Sequence, residues 1–222
     1  MSEVSVSILS VNEENAVSTF YNLETAKVDY FHIDVMDGKF VENNNLELMK
    51  DYALTISHIS NVGLDVHLMV EEVEKIMDDY ISLEPRIITF HYEAIKDKTR
   101  ILSIIKEIKS NGIKVGLAIS PETPVEAIKE FCKYVHQILI MTVVPGKGGQ
   151  KLIPETLEKV NILKKYINDN NFDIDIEADG GINAENAELV RNSGVDILVA
   201  GNYIIASDDF CEAVKKLKEE GI

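Results

Sequence analysis

The chain has 222 residues, and 38 Asp and Glu against 22 Lys and Arg leave a formal charge of −16 at pH 7. A surface of that sign repels polyphosphate before any specific contact forms, so nucleic acid and anionic membrane are excluded as partners. A small anionic substrate stays open if loop N–H groups outweigh the long-range field at short range.

Eight short apolar or alternating runs read as strands, taken in order: Val4–Leu9, Tyr30–Val35, Leu64–Met69, Ile87–His91, Lys114–Ile119, Gln137–Met141, Asp173–Ala178 and Ile197–Ala200. Helical patterning separates them. Lys98–Asn111 carries Ile101, Leu102, Ile104, Ile105 and Ile108 near helical spacing and stops at Asn111-Gly112; Pro124–Tyr134 and Pro154–Asn168 read similarly, with Pro154 in a first turn. Asn43–Asn45 and Asn168–Asn171 read as polar loops. Eight strand–helix units predict one closed parallel (β/α)8 barrel, a TIM barrel, as a single domain over residues 1–222. An open doubly wound sheet would want a glycine-rich turn after the first strand, where Ser10-Val-Asn-Glu-Glu stands.

Cys132 and Cys211 lie in helically patterned segments, which suits reduced thiols and a cytoplasmic protein. Met1–Val6 lacks a basic stretch leading into an apolar one, and no run approaches the roughly 18 apolar residues of a span, so neither export nor membrane insertion is expected.

Chemistry concentrates in two mirrored runs, His32-Ile-Asp34-Val-Met36 and Asp65-Val-His67-Leu-Met69. Strand side chains alternate faces, so each run presents an imidazole, a carboxylate and a thioether to one side. Asp173-Ile-Asp175-Ile-Glu177-Ala-Asp179 alternates likewise before Gly180-Gly181. His32, Asp34, His67 and Asp179 fall near the carboxyl ends of strands two, three and seven, where barrels carry their sites, and form a candidate cage for Zn²⁺, Fe²⁺, Mn²⁺ or Co²⁺. Asp34 and Asp179 can also exchange a proton with carbon while the cation holds charge on an adjacent oxygen; acting on opposite faces, they would invert a stereocentre.

Glycines cluster after the last three strands: Gly146-Lys147-Gly148-Gly149, Gly180-Gly181, and Gly201 beside Asn202. Such loops commonly hold phosphate in barrels. Met36, Met69 and Met141 end strands two, three and six and offer an apolar wall over reacting atoms. His91 ends strand four and either lines the pocket, orients another group or sits in the core; His58 and His136, near helix or loop ends, receive no role.

Over nearly its whole length the chain resembles the ribulose-phosphate 3-epimerase family, through Ser7-Ile-Leu-Ser10, His32-Ile-Asp-Val-Met-Asp-Gly38 with Phe40-Val41, Asp65-Val-His-Leu-Met-Val70, Thr89-Phe-His-Tyr-Glu93, Met141-Thr-Val with Pro145-Gly146 and Gly148-Gly-Gln150, Asp179-Gly-Gly181 and Val199-Ala-Gly201. The resemblance implies a TIM barrel that interconverts D-ribulose 5-phosphate and D-xylulose 5-phosphate by inversion at C3, through an enediolate stabilised by one divalent ion, with Zn²⁺ the first candidate. It implies His32, Asp34, His67 and Asp179 as ligands, with Asp34 and Asp179 as the acid/base pair. Ser7 and His67 would contact substrate; Met36, Met69 and Met141 would flank the enediolate; and Gly146, Lys147, Gly148, Gly149, Gly180, Gly181, Gly201 and Asn202 would surround the phosphate. A homo-oligomer is expected from the same resemblance.

Three places depart from the family's pattern. Glu42-Asn43-Asn44-Asn45 stands where Pro-Asn usually follows Phe-Val, Lys147 stands where an aromatic usually does, and Val-Asn-Glu-Glu follows Ser10. The first two could mark a pocket for a six-carbon substrate such as D-allulose 6-phosphate, and the remaining alternative is a barrel that binds a sugar phosphate without turning it over.

Overall fold

The eight strands close, in chain order, into a parallel barrel in which β1 pairs with both β2 and β8. The structure, a computed structural model, describes residues 2–218. The strands are β1 Glu3–Ser7, β2 Tyr30–Met36, β3 Gly63–Met69, β4 Ile87–His91, β5 Lys114–Ile119, β6 Gln137–Met141, β7 Asp175–Asp179 and β8 Ile197–Val199. Around them run α1 Ala16–Thr25, α2 Leu46–Ile59, α3 Val73–Ile81, α4 Lys98–Ser110, α5 Thr156–Asn170, α6 Ala187–Asn192, α7 Asn202–Ile205 and α8 Phe210–Lys218. This is the TIM-barrel architecture that the strand–helix alternation predicts.

Hydrophobicity partitions by strand face. Val4, Val6, Phe31, Ile33, Val35, Val66, Leu68, Ile88 and Phe90 point outward and are buried with the helix stripes in one continuous core. Phe31 meets Phe20 of α1 edge-on at 5.9 Å, and Phe20 meets Tyr52 of α2 at 5.3 Å, tying two helices to β2. The inward faces carry the polar groups, and among them Ala118, Leu139, Met141 and Val143 form a separate small apolar cluster on the β5–β6 side.

The remaining differences from expectation have local causes. β1 ends at Ser7 because Val11 N–H bonds to the Ile8 carbonyl and turns the chain. β7 starts at Asp175 because its partner β6 starts at Gln137, leaving Asp173 and Ile174 without a ladder there. Pro124–Tyr134 is two 3₁₀ segments, Val125–Ala127 and Lys129–Tyr134, rather than an α-helix. Val125, Ile128 and Phe131 are buried at every third position, the 3₁₀ period, with Cys132 buried beside Phe131. Pro154 precedes α5, its carbonyl accepting from Leu157 N–H, and Asn168–Asn170 close that helix instead of forming a loop; Asn171 caps it in the left-handed region at φ 52°. Asp97 caps α4 by accepting from Arg100 N–H at 2.7 Å. Asp97→Ala should therefore cost about 1 kcal/mol, read as a fall of roughly 2–4 °C in the unfolding midpoint.

No helix among the described residues is long and apolar enough to cross a membrane.

Candidate active site

The mirrored order of the two His/Asp/Met runs acquires its meaning from register. β2 and β3 pair so that His32 lies beside Asp65, Asp34 beside His67 and Met36 beside Met69. Each imidazole thus neighbours a carboxylate on the adjacent strand. Across the barrel β7 brings in Glu177 and Asp179, the latter beside Met141 of β6.

Four donor atoms converge. His32 Nε2 and His67 Nδ1 are 3.3 Å apart; Asp34 Oδ1 is 3.4 and 3.3 Å from them, and Asp179 Oδ2 is 3.8 Å from both. All four lie within 4.8 Å of one another. A tetrahedral ion with bonds of about 2.1 Å sets its donors about 3.4 Å apart, so the spacing and the mixed nitrogen–oxygen set fit one divalent cation. The electrostatics agree. Burial opposes charge on His32, but the carboxylates of Asp65 and Asp34 outweigh it and hold the ring well above its ordinary pKa. Burial likewise opposes charge on Asp34, yet His32 and His67 keep it well below the usual carboxylate range. The cluster demands positive charge, which protons or a metal ion can meet.

The two lining carboxylates are poised differently. Burial first, and the neighbouring Asp34 charge second, push Asp179 up to about 7. Asp34 stays ionised, its second oxygen accepting from Ser7 Oγ at 2.6 Å. Carboxyls whose environments drive their pKa values apart suit opposite halves of a proton transfer.

Beneath the donors lies a second buried layer, of which the sequence reading singled out only His91. His32 Nδ1 is 2.7 Å from Asp65 Oδ2, which also accepts from Ser5 Oγ at 2.7 Å. Asp65 Oδ1 and Glu177 Oε1 accept no hydrogen bond from any donor, Glu177 Oε1 lying 3.9 Å from His32 Nδ1, while the two carboxyls neighbour each other and burial holds Glu177 well above its ordinary value. A proton kept on Glu177 satisfies both oxygens. Glu177 in turn accepts from Gln137 Nε2 at 2.5 Å. His91, fully buried, has its pKa pushed down to about 4 by burial and sits between His67 and Glu93. Glu93 is held at about 2 despite its burial by His91, Thr123 and the Ser120 N–H. Sequence signals for this layer existed: Asp65 belongs to a mirrored run, and Glu177 shares an alternating face with Asp179.

Above the donors opens a cavity of about 380 Å³ lined by Ser7, Asp34, Met36, Met69, Met141, Gly146, Lys147, Gly148, Gly149, Asp179, Gly180, Gly181, Gly201 and Asn202. Every residue expected to meet substrate or to exchange its proton is there except His67. That ring is fully buried below the floor, beside His32, and reaches the site only through Nδ1. Leu9, Val143, Val144, Gln150, Ile182 and Asn183 also line the cavity, contributed by loops without a periodic pattern, together with Val199 at the end of β8 and Tyr203 of the short helix α7. His58 lies in the last turn of α2, and His136 accepts from Val115 N–H ahead of β6, both away from the cavity.

Two of the departures from the family's pattern face each other. Lys147 Nζ pairs with Glu42 at 3.3 Å, and Asn43 Nδ2 donates to the Gly146 carbonyl at 2.6 Å, joining the loops after β2 and β6 across the mouth. The backbones meet so closely that a Cβ on Gly146 would lie 2.8 Å from Val41 Cβ. The Lys147 ammonium is thus engaged by Glu42 at the rim, although the residue lines the cavity.

Comparison with known proteins agrees with this construction. The chain is 39% identical over 222 residues to a ribulose-phosphate 3-epimerase of Methanocaldococcus jannaschii, covering 100% of this chain and 92% of that one. It is 36% identical over 200 residues to the ribulose-phosphate 3-epimerase of Escherichia coli, covering 88% and 85%. The crystal structure of KGPDC from Streptococcus mutans superposes with a TM-score of 0.71 at 12% identity, covering 98% of this chain and 96% of the other, a likeness of fold alone. The model of the ribulose-phosphate 3 epimerase family matches residues 3–205, and with these relatives it establishes that the chain is an enzyme of the ribulose-phosphate 3-epimerase family.

Proposed function

We propose that the protein inverts C3 of a ketose phosphate, D-ribulose 5-phosphate to D-xylulose 5-phosphate, with His32, Asp34, His67 and Asp179 holding one divalent cation, Zn²⁺ the first candidate. The observation that carries this reading is the pairing of an ionised Asp34 with a proton-poised Asp179, both lining one cavity and both members of the four-donor cluster. When bound, such a cation supplies Lewis-acid stabilisation of the negative charge that develops on oxygen as a proton leaves the adjacent carbon, worth several kcal/mol.

The chain's own residues do the rest. Asp34 accepts the C3 proton from one face of the substrate, and Asp179 returns a proton to the other face. Ser7, donating to Asp34, orients that carboxylate. Met36, Met69 and Met141 supply soft apolar surface against the planar enediolate and keep water from quenching it. The phosphate end meets the loops of Gly146 to Gly149, Gly180, Gly181, Gly201 and Asn202, whose backbone N–H groups can approach its oxygens in spite of the net negative charge.

The test is activity after chelation and readdition of Zn²⁺, Fe²⁺, Mn²⁺ and Co²⁺ singly, on D-ribulose 5-phosphate and D-allulose 6-phosphate in parallel. Chelation should abolish turnover and at least one ion should restore it, with the pentulose phosphate preferred. Reaction in D₂O should place deuterium at C3. Undiminished turnover by the fully chelated protein removes the metal, and equal or greater turnover of the hexulose phosphate replaces the substrate. Binding without deuterium exchange by the metal-loaded protein leaves only a sugar-phosphate-binding barrel.

A further inference from the structure

We propose that Glu93 is a positioning residue for the metal ligand His67, acting through His91; this rests on reading the four-donor cluster as a metal site. His91 closes β4, and Glu93 follows in the short 3₁₀ turn Tyr92–Ala94. His91 Nε2 lies 2.9 Å from His67 Nε2, the two rings inclined by 29° and set end to end with centroids 5.1 Å apart, and His91 Nδ1 lies 3.0 Å from Glu93 Oε2.

Counting protons along this row fixes its direction. A carboxylate has no proton to give, and the other oxygen of Glu93 already accepts from Ser120 N–H at 2.7 Å and from the Thr123 hydroxyl. His91 Nδ1 therefore donates to Glu93. Its Nε2 is then left as the acceptor, and the proton between the two rings belongs to His67 Nε2. That leaves His67 Nδ1 with a bare lone pair, aimed at the point where His32 Nε2 and Asp34 Oδ1 converge, each 3.3 Å away. The opposite order would put an N–H where the ion must bind.

The row is anchored at its outer end. Lys159 Nζ of α5 donates to the carbonyls of Ser120 at 3.0 Å and Thr123 at 2.6 Å, bracing the loop after β5 that grips Glu93. His32 has a shorter counterpart in Asp65. The His67 arm instead runs through a second ring to a carboxylate whose side chain is 24% exposed, so its end can be changed without opening a cavity.

Glu93→Gln is the test. An amide that turns its NH₂ toward His91 Nδ1 reverses the row, and one that turns it away faces the Ser120 N–H instead. Zn²⁺ affinity, measured by competition with a chelator, should fall about 10- to 100-fold in this variant. Thr123→Val, which releases the loop and keeps both rings and the carboxylate, should stay within about twofold of wild type, well short of the 10- to 100-fold loss of an orienting partner. Nitrogen-15 spectra of the metal-free wild type should show the proton of His67 on Nε2, and E93Q should show a mixture. Unchanged affinity in E93Q, equal loss in T123V, or a wild-type His67 protonated on Nδ1 each overturns the assignment. Failure of the wild type to bind Zn²⁺ or any of the other three ions would instead sink the metal site, and this role with it.

Discussion

Asp179→Asn should lower the rate of inversion by about 10²- to 10⁴-fold, the contribution a positioned acid or base makes, with the barrel intact. Asp179 sits at the end of β7 facing the cavity, and burial beside Asp34 poises its carboxyl near neutrality at about 7. An amide of the same shape neither gives nor takes a proton there and is a poorer ligand. Two measurements separate these losses. Metal content, determined on the purified variant, reports ligation. Solvent exchange reports the proton: starting from the epimer whose C3 hydrogen faces Asp34, D179N loaded with metal should still wash in deuterium while failing to invert. Near-normal inversion would remove Asp179 from the chemistry.

Gly181→Ala should lower kcat/KM by about 10- to 100-fold, in line with the cost of displacing a bound group by about 1 Å. Gly181 has φ +69°, and a Cβ there would lie 2.3 Å from the backbone nitrogen of Leu152 and 2.8 Å from the Gln150 carbonyl oxygen. Those are main-chain atoms at the end of the Gly146–Gln150 loop and just past it, so no rotamer change can make room. The loops after β6 and β7, which together form one wall of the cavity, must separate. Gly112→Ala is the matched control, because Gly112 has φ +78° with nothing within 4 Å of its would-be Cβ. It carries the same left-handed strain, roughly 1 kcal/mol, without the collision. A G181A enzyme with the kinetics of G112A would show that the close approach of the two loops is dispensable.

The pairing of Glu42 with Lys147 bears on how the pocket differs from the usual pattern. Both side chains are largely exposed, 87% and 63%, so the pair adds little stability. Its effect is geometric: it spans the same mouth that the Asn43–Gly146 bond closes. Two departures that look independent along the chain are partners across the site.

Much of the architecture was legible because strand and helix periods differ. Alternation on β2, β3 and β7 already assigns His32, Asp34, His67 and Asp179 to inward faces, and the glycines after the late strands mark the loops that line the cavity. The 3₁₀ path of Val125–Tyr134 was missed because a spacing of three is nearly the helical one. Glu93 stands in the motif Thr89-Phe-His-Tyr-Glu93, but its role was missed for a different reason. It lies outside any strand, and its partners Ser120 and Thr123 are 27 and 30 residues away, brought near only when β5 pairs with β4.

Composition and periodicity, then, determined a closed parallel barrel and the faces its reactive side chains occupy, since each is written in local spacing, while the motifs carried the resemblance to the family. Tertiary structure alone decided that Asp65 backs His32, that His91 stands between His67 and Glu93, that Glu177 neighbours Asp65, and that Asp34 and Asp179 are poised differently. The reason is physical: which face a side chain takes follows from its own strand, whereas its charge and proton depend on register and burial, and these are set only when distant strands close on one another.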